Sequence, residues 1–185
     1  MSTDATDPST EQPTREISLT INGEDVVADV EPRLKLSDFL RDRRGLYGLR
    51  IGCEHGVCGA CTVSMDDRIV KSCLVYAVQA DRSDLVTVEG LADEGDLHPI
   101  QRAYHEDHAL QCGFCTSGFV MATRELLAET PDPSDEAIEK GLADNICRCT
   151  GYQNIYKAVR RAADYTQARA DEEGRMGERD QEDDA

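Results

Sequence analysis

Residues 53–61 read CEHGVCGAC, three cysteines and two glycines in nine positions. Residues 46–61, LYGLRIGCEHGVCGAC, hold four glycines and these three cysteines, a composition that calls for a loop. Gly48 and Gly52 precede the cysteines, and residues 46–61 are expected to form one long loop. Cys73 follows Cys61 after eleven residues, completing a set of four: Cys53, Cys58, Cys61 and Cys73. The C-x4-C-x2-C…C spacing is that of plant-type [2Fe–2S] sites, with a short last gap. A sulfide-bridged cluster is anionic and calls for backbone N–H groups aimed at its sulfurs. Gly56 and Gly59 supply positions without Cβ where the backbone must curl that tightly.

Four cysteines remain. Cys112-x2-Cys115 and Cys147-x-Cys149 flank helical patterns, where a helix–loop–helix can bring them together as a second set. All eight cysteines of the chain are then used. Zinc is the rival, because four-thiolate zinc sites are tetrahedral too. C-x4-C-x2-C fits paired zinc knuckles poorly. A mixed site of His105, His108, Cys112 and Cys115 would strand Cys147 and Cys149, and AYHEDHAL reads equally as a plain polar helix face. His55 is expected to face solvent.

Around these thiols the pattern divides in two. ISLTI and DVVADV alternate across Asn22-Gly23, a hairpin signal. Ser37 is expected to cap a short helix, SDFLRDRR. TVSM and RIVKSC, joined at Asp66-Asp67, form a second hairpin, and LVTVEGL a last strand. Beyond ADEGDL the periodicity becomes helical: one helix from His98-Pro99, one through FVMATRELLAET, one after Ser134, and one in YQNIYKAVRRAADY. The expected fold class is α+β. A β domain at 15–92 with one helix precedes a four-helix domain at 93–165, between an acidic extension at 1–14 and an acidic disordered tail at 166–185.

The net charge is −17, from 37 acidic and 20 basic residues. Residues 171–185 carry −6 and 1–14 carry −3, leaving −8 on the body. Such a surface repels nucleic acid and anionic lipid. Acidic composition with only four lysines fits solubility in a high-salt cytosol. No secretion signal or bilayer-length apolar run is present, so a cytoplasmic location with reduced thiols is expected.

CEHGVCGACTV, QCGFCTSGF and NICRCTGYQNI together resemble the iron–sulfur subunit of molybdenum hydroxylases: the xanthine dehydrogenase, aldehyde oxidoreductase and aerobic carbon monoxide dehydrogenase group. The resemblance covers residues 15–165. It implies a ferredoxin-like β-grasp domain and a four-helix domain, each with one [2Fe–2S] cluster. Cys53, Cys58, Cys61 and Cys73 would hold the cluster nearer a flavin (FAD) subunit. Cys112, Cys115, Cys147 and Cys149 would hold the one nearer a molybdopterin subunit, with Gln111 and Cys149 touching the pterin and Gly113 in the cluster loop. Ser117 departs from the usual proline. The implied role is an electron relay in a hetero-oligomer, with no catalytic residue of its own. A free-standing two-cluster carrier and a zinc interaction module are the alternatives.

Overall fold

The computed structural model describes residues 13–92 and 95–183; most of the acidic N-terminal extension lies outside them. Strands β1 (Arg15–Ile21) and β2 (Glu24–Val30) form an antiparallel hairpin. Asn22 and Gly23 turn it with φ of 52° and 82°, the double positive φ of a turn that matches strand twist. Asp66 and Asp67, at 52° and 62°, do the same between β3 (Thr62–Met65) and β4 (Arg68–Lys71). With β5 (Asp84–Val86), parallel to β1, the sheet order is β2-β1-β5-β3-β4, a β-grasp arrangement. Alternate residues Ile17, Leu19 and Ile21 bury one face of β1 against Phe39, Leu40 and Leu85.

Two local readings need correction. Ser37 does not cap a helix: α1 (Leu36–Asp38) starts after Lys35, and Ser37 is buried inside it, its hydroxyl donating to Asp38. The helix then widens over Phe39–Arg43, where the N–H of Arg44 reaches the carbonyl of Phe39. LVTVEGL is strand only as far as Val86, and Val88–Leu91 forms a 3-10 turn. Side chains take over the pairing there. Asn22 Oδ1 accepts from the Thr87 N–H at 2.8 Å, and Glu89 Oε1 accepts from the Gly48 N–H at 2.6 Å.

The second half contains α2 (Pro99–Glu106), α3 (Thr116–Glu129), α4 (Asp135–Gly141) and α5 (Gln153–Asp183). His98 caps α2 ahead of Pro99, a position that suits proline. Ser134 Oγ accepts from the Ala137 N–H to start α4. Apolar periodicity in α5 ends near Tyr165, yet its backbone stays helical to Asp183; the alanine, arginine and glutamate there are good helix formers. Tyr104, Phe119, Ile138, Ile155 and Val159 centre this core. The halves are not beads on a string: α3 packs on β3 and β4. Glu125 Oε1 accepts the Ile69 N–H at 2.9 Å, and Arg124 donates to Ser64 at 3.2 Å.

Candidate metal centres

The 46–61 loop leads into β3, and the turn Ser72–Leu74 follows β4, so the antiparallel hairpin returns Cys73 to the loop carrying the other three thiols. Cys53 and Cys58 are neighbours. The Cys58 N–H donates to Cys53 Sγ at 3.4 Å. N–H groups of His55 and Cys58 lower the Cys53 thiol to about 6, because donors aimed at sulfur favour thiolate. Cys61 and Cys73, both buried, face each other. Burial, then Cys61, pushes Cys73 up to about 11, against a Gly56 N–H aimed at it. Gly56 has φ +80°, the left-handed region that favours glycine; a Cβ there would meet only the side chain of exposed Leu74, Cδ1 at 2.4 Å.

In the second set, Cys112 precedes α3, Cys115 stands at its start, and Cys147 and Cys149 lie between α4 and α5. Cys112 and Cys149 sulfurs are 3.5 Å apart and exposed. The Phe114 N–H, then Cys149, lowers Cys112, whereas Cys112 raises Cys149. Cys115 faces Cys147, and burial pushes Cys115 up to about 12. Burial also raises Cys147, but the hydroxyl and N–H of Thr150, at 3.1 and 3.5 Å, outweigh it and leave that thiol lowered. The Tyr152 hydroxyl accepts from the Cys147 N–H at 3.0 Å.

Each set is thus two pairs, 53/58 with 61/73 and 112/149 with 115/147. A single zinc needs four sulfurs about 2.3 Å from one point, whereas two irons bridged by sulfide need two thiolates each. Pairing and inward N–H groups therefore fit a sulfide-bridged cluster. His105 and His108 are exposed, and Cys112 meets Cys149 instead, so the mixed histidine–cysteine zinc site is not formed. Gln111, next to Cys112 in the chain, is exposed, and so is His55. Gly113 has φ +78° with open space beside it.

A seam joins the two sets. The Ile146 N–H donates to the Cys58 carbonyl at 3.0 Å. A Cβ on Gly59, at φ +75°, would stand 1.8 Å from Asn145 Oδ1, and one on Gly118 would stand 2.1 Å from the Gly59 carbonyl. Among the described residues, the buried side-chain polar atoms without a protein partner are Thr116 Oγ1, Ser117 Oγ and both amide atoms of Asn145. All flank Cys115 or Cys147. Sequence reading passed over Asn145, Thr150 and Tyr152; their closeness to CRC was the only available signal.

A β-grasp sheet fused to a helical domain, with four paired thiols in each, defines a two-domain iron–sulfur protein. Residues 19–92 match the family described as "2Fe-2S iron-sulfur cluster binding domain", and residues 87–160 match "[2Fe-2S] binding domain". The 6-hydroxypseudooxynicotine dehydrogenase complex subunit beta of Paenarthrobacter nicotinovorans is 51% identical over 144 residues, 77% of this chain and 90% of that one. Caffeine dehydrogenase subunit gamma of Pseudomonas sp. (strain CBB1) is 47% identical over 162 residues, 85% and 96% respectively. Quinoline 2-oxidoreductase from Pseudomonas putida 86 superposes with a TM-score of 0.81 at 44% identity, over 84% of this chain and 97% of that chain. The chain belongs to the small iron–sulfur subunits of the molybdenum hydroxylase family, and is the iron–sulfur part of an oxidoreductase. No described helix is long and apolar enough to cross a membrane.

Proposed function

We propose that the chain relays single electrons from a molybdopterin subunit to an FAD subunit of a cytoplasmic hydroxylase complex. Cys53, Cys58, Cys61 and Cys73 hold one [2Fe–2S] cluster in the domain of residues 15–92. Cys112, Cys115, Cys147 and Cys149 hold the other in residues 93–165. Each cluster, when bound, accepts and returns one electron. The protein supplies thiolates, N–H donors that stabilise them, and a rigid link between the two sites. The Ile146 N–H bond to the Cys58 carbonyl carries this reading, since it joins a residue next to one thiol set directly to a member of the other.

Exposure supports the polarity of the relay. Gln111, Cys112 and Cys149 open to the surface beside Leu110, Phe114 and Ile146, all exposed; apolar groups next to an open thiol site suit a covering partner. Gln111 and Cys149 face the pterin there. Val57, Leu74 and Tyr76 are likewise exposed around the first set, on the side assigned to the flavin subunit. These two apolar rims favour a fixed complex over a free carrier. Relatives with similar small subunits serve nicotine and caffeine enzymes, so the subunit conducts, and its large partner selects the substrate.

The test is the visible spectrum of the purified chain with dithionite, followed by identification of the chains that copurify with it. Broad bands between about 400 and 600 nm that bleach are expected of these centres. A colourless protein would overturn the relay, and recovery as a monomer only would overturn the complex.

A further inference from the structure

Lys35 Nζ lies 2.7 Å from Glu54 Oε2, and both residues are anchored to the first thiol set. Glu54 follows Cys53 directly and holds φ +58°, an unusual conformation for a residue with a side chain. Lys35 is fixed from the other side. The Leu36 N–H donates to the Val75 carbonyl at 2.7 Å and the Ala77 N–H to the Leu34 carbonyl at 2.8 Å, pairing Lys35 with Tyr76 just past Cys73. Glu54 acts most strongly on the ammonium, then Asp38, and Cys73 least. The pair therefore spans from the loop of Cys53 to the turn of Cys73. In a chain of net charge −17 with four lysines, one lysine stands where an anionic group is to be held.

We propose that Lys35 and Glu54 act as a charge pair that sets the reduction potential of the first cluster, and so its share of the electron relative to the second. This rests on the assignment of Cys53, Cys58, Cys61 and Cys73 above. One-electron reduction makes the site one charge more negative, with no bond made or broken. A nearby cation favours the reduced form and a nearby carboxylate opposes it. As a pair they nearly cancel. Without Lys35 the Glu54 carboxylate is unopposed; without the Glu54 charge the ammonium is offset only by the weaker pull of Asp38. Their side chains are 34% and 60% exposed, so added salt weakens the effect.

The experiment is a mediated redox titration of the purified, cluster-loaded protein followed by EPR. Lys35→Met is expected to lower the midpoint of one cluster signal and leave the other in place. Glu54→Gln raises the same midpoint, the double variant returns near the starting value, and Lys35→Arg retains it. The Lys35→Met shift shrinks at high salt. A merely structural strap would change cluster content without opposite shifts. If Lys35→Met fails to load, Glu54→Gln, which keeps the ammonium, decides. Full iron content with unmoved midpoints overturns the inference and leaves the cysteine assignment standing. An unaltered protein without iron–sulfur absorption overturns that assignment and the inference with it.

Discussion

The backbone N–H of Ile146 donates to the carbonyl of Cys58 across 3.0 Å, joining the loop before Cys147 to the loop of the first thiol set. Two domains with separate cores are thereby joined a second time, beyond the packing of α3 on β3 and β4. Gly59, Gly118 and Asn145 make it possible, because backbone reaches backbone there with no room for another carbon. Fixed spacing of this kind is what serial electron transfer requires of a protein. It also means that damage at the seam should reach both halves.

Gly59→Ala tests that junction. The new methyl would meet Asn145 Oδ1 at 1.8 Å and the Asp144 carbonyl at 2.5 Å, at φ +75°. Overpacking plus left-handed strain predicts a loss of about 3 kcal/mol. Gly151→Ala has comparable φ, +67°, but open space, and should lose about 1–2 kcal/mol. Thermal unfolding monitored by circular dichroism compares the two. Equal losses would mean that the seam is not tightly packed.

Cys73→Ser and Cys149→Ser test the assignment of the two sets. Each variant should retain about half the iron and sulfide and lose one of two EPR signals, since four thiolates serve each cluster. The two variants must lose different signals. Loss of the same signal in both would show that the thiols are not partitioned as assigned.

Asp107 predicts an acid limit for the helical domain. Arg161 donates to both its carboxylate oxygens, at 2.6 and 2.8 Å, and Lys157 stands 2.9 Å away. The bonds to Arg161 hold this carboxyl below its usual range against the opposing cost of burial. A depressed folded-state pKa gives stability that is present above the unfolded value, about 3.9, and is lost as pH falls towards the folded one. Asp107→Asn should therefore cost about 1.5–3 kcal/mol near neutral pH, with the difference from the unaltered protein closing below about pH 4. Denaturant unfolding against pH measures this. A constant difference across that range would dissociate the effect from charge.

Legibility of the sequence followed the reach of each interaction. Asn22-Gly23 and Asp66-Asp67 announced their hairpins because positive φ at two adjacent residues is a local demand. The cysteines were equally plain, since their spacing is set by the chemistry. Ser37 misled because a serine before an apolar run signals a cap, whereas here the Lys35 carbonyl already accepts the Phe39 N–H and starts the helix at Leu36, whose own N–H is satisfied by Val75, thirty-nine residues on. Thr87 left the strand because Asn22, distant in sequence, supplied its partner. The Ile146 bond, the unpaired amide of Asn145 and the Lys35–Glu54 pair arise only once the two halves and their loops have met.

Net charge yields the last prediction. With 37 acidic against 20 basic residues, self-repulsion outweighs the exposed ion pairs, such as Arg15–Asp81 and Arg33–Glu31, which contribute little. Salt screens both, contracting the screening length from about 10 Å at 0.1 M to about 3 Å at 1 M. Repulsion acts over the whole molecule and is reduced most. The unfolding temperature of the cluster-loaded protein should therefore rise with potassium chloride between about 0.1 and 1 M. Absorbance by the clusters during the scan separates unfolding from cluster loss. A falling unfolding temperature would show that the surface pairs, and not the excess negative charge, govern its electrostatics.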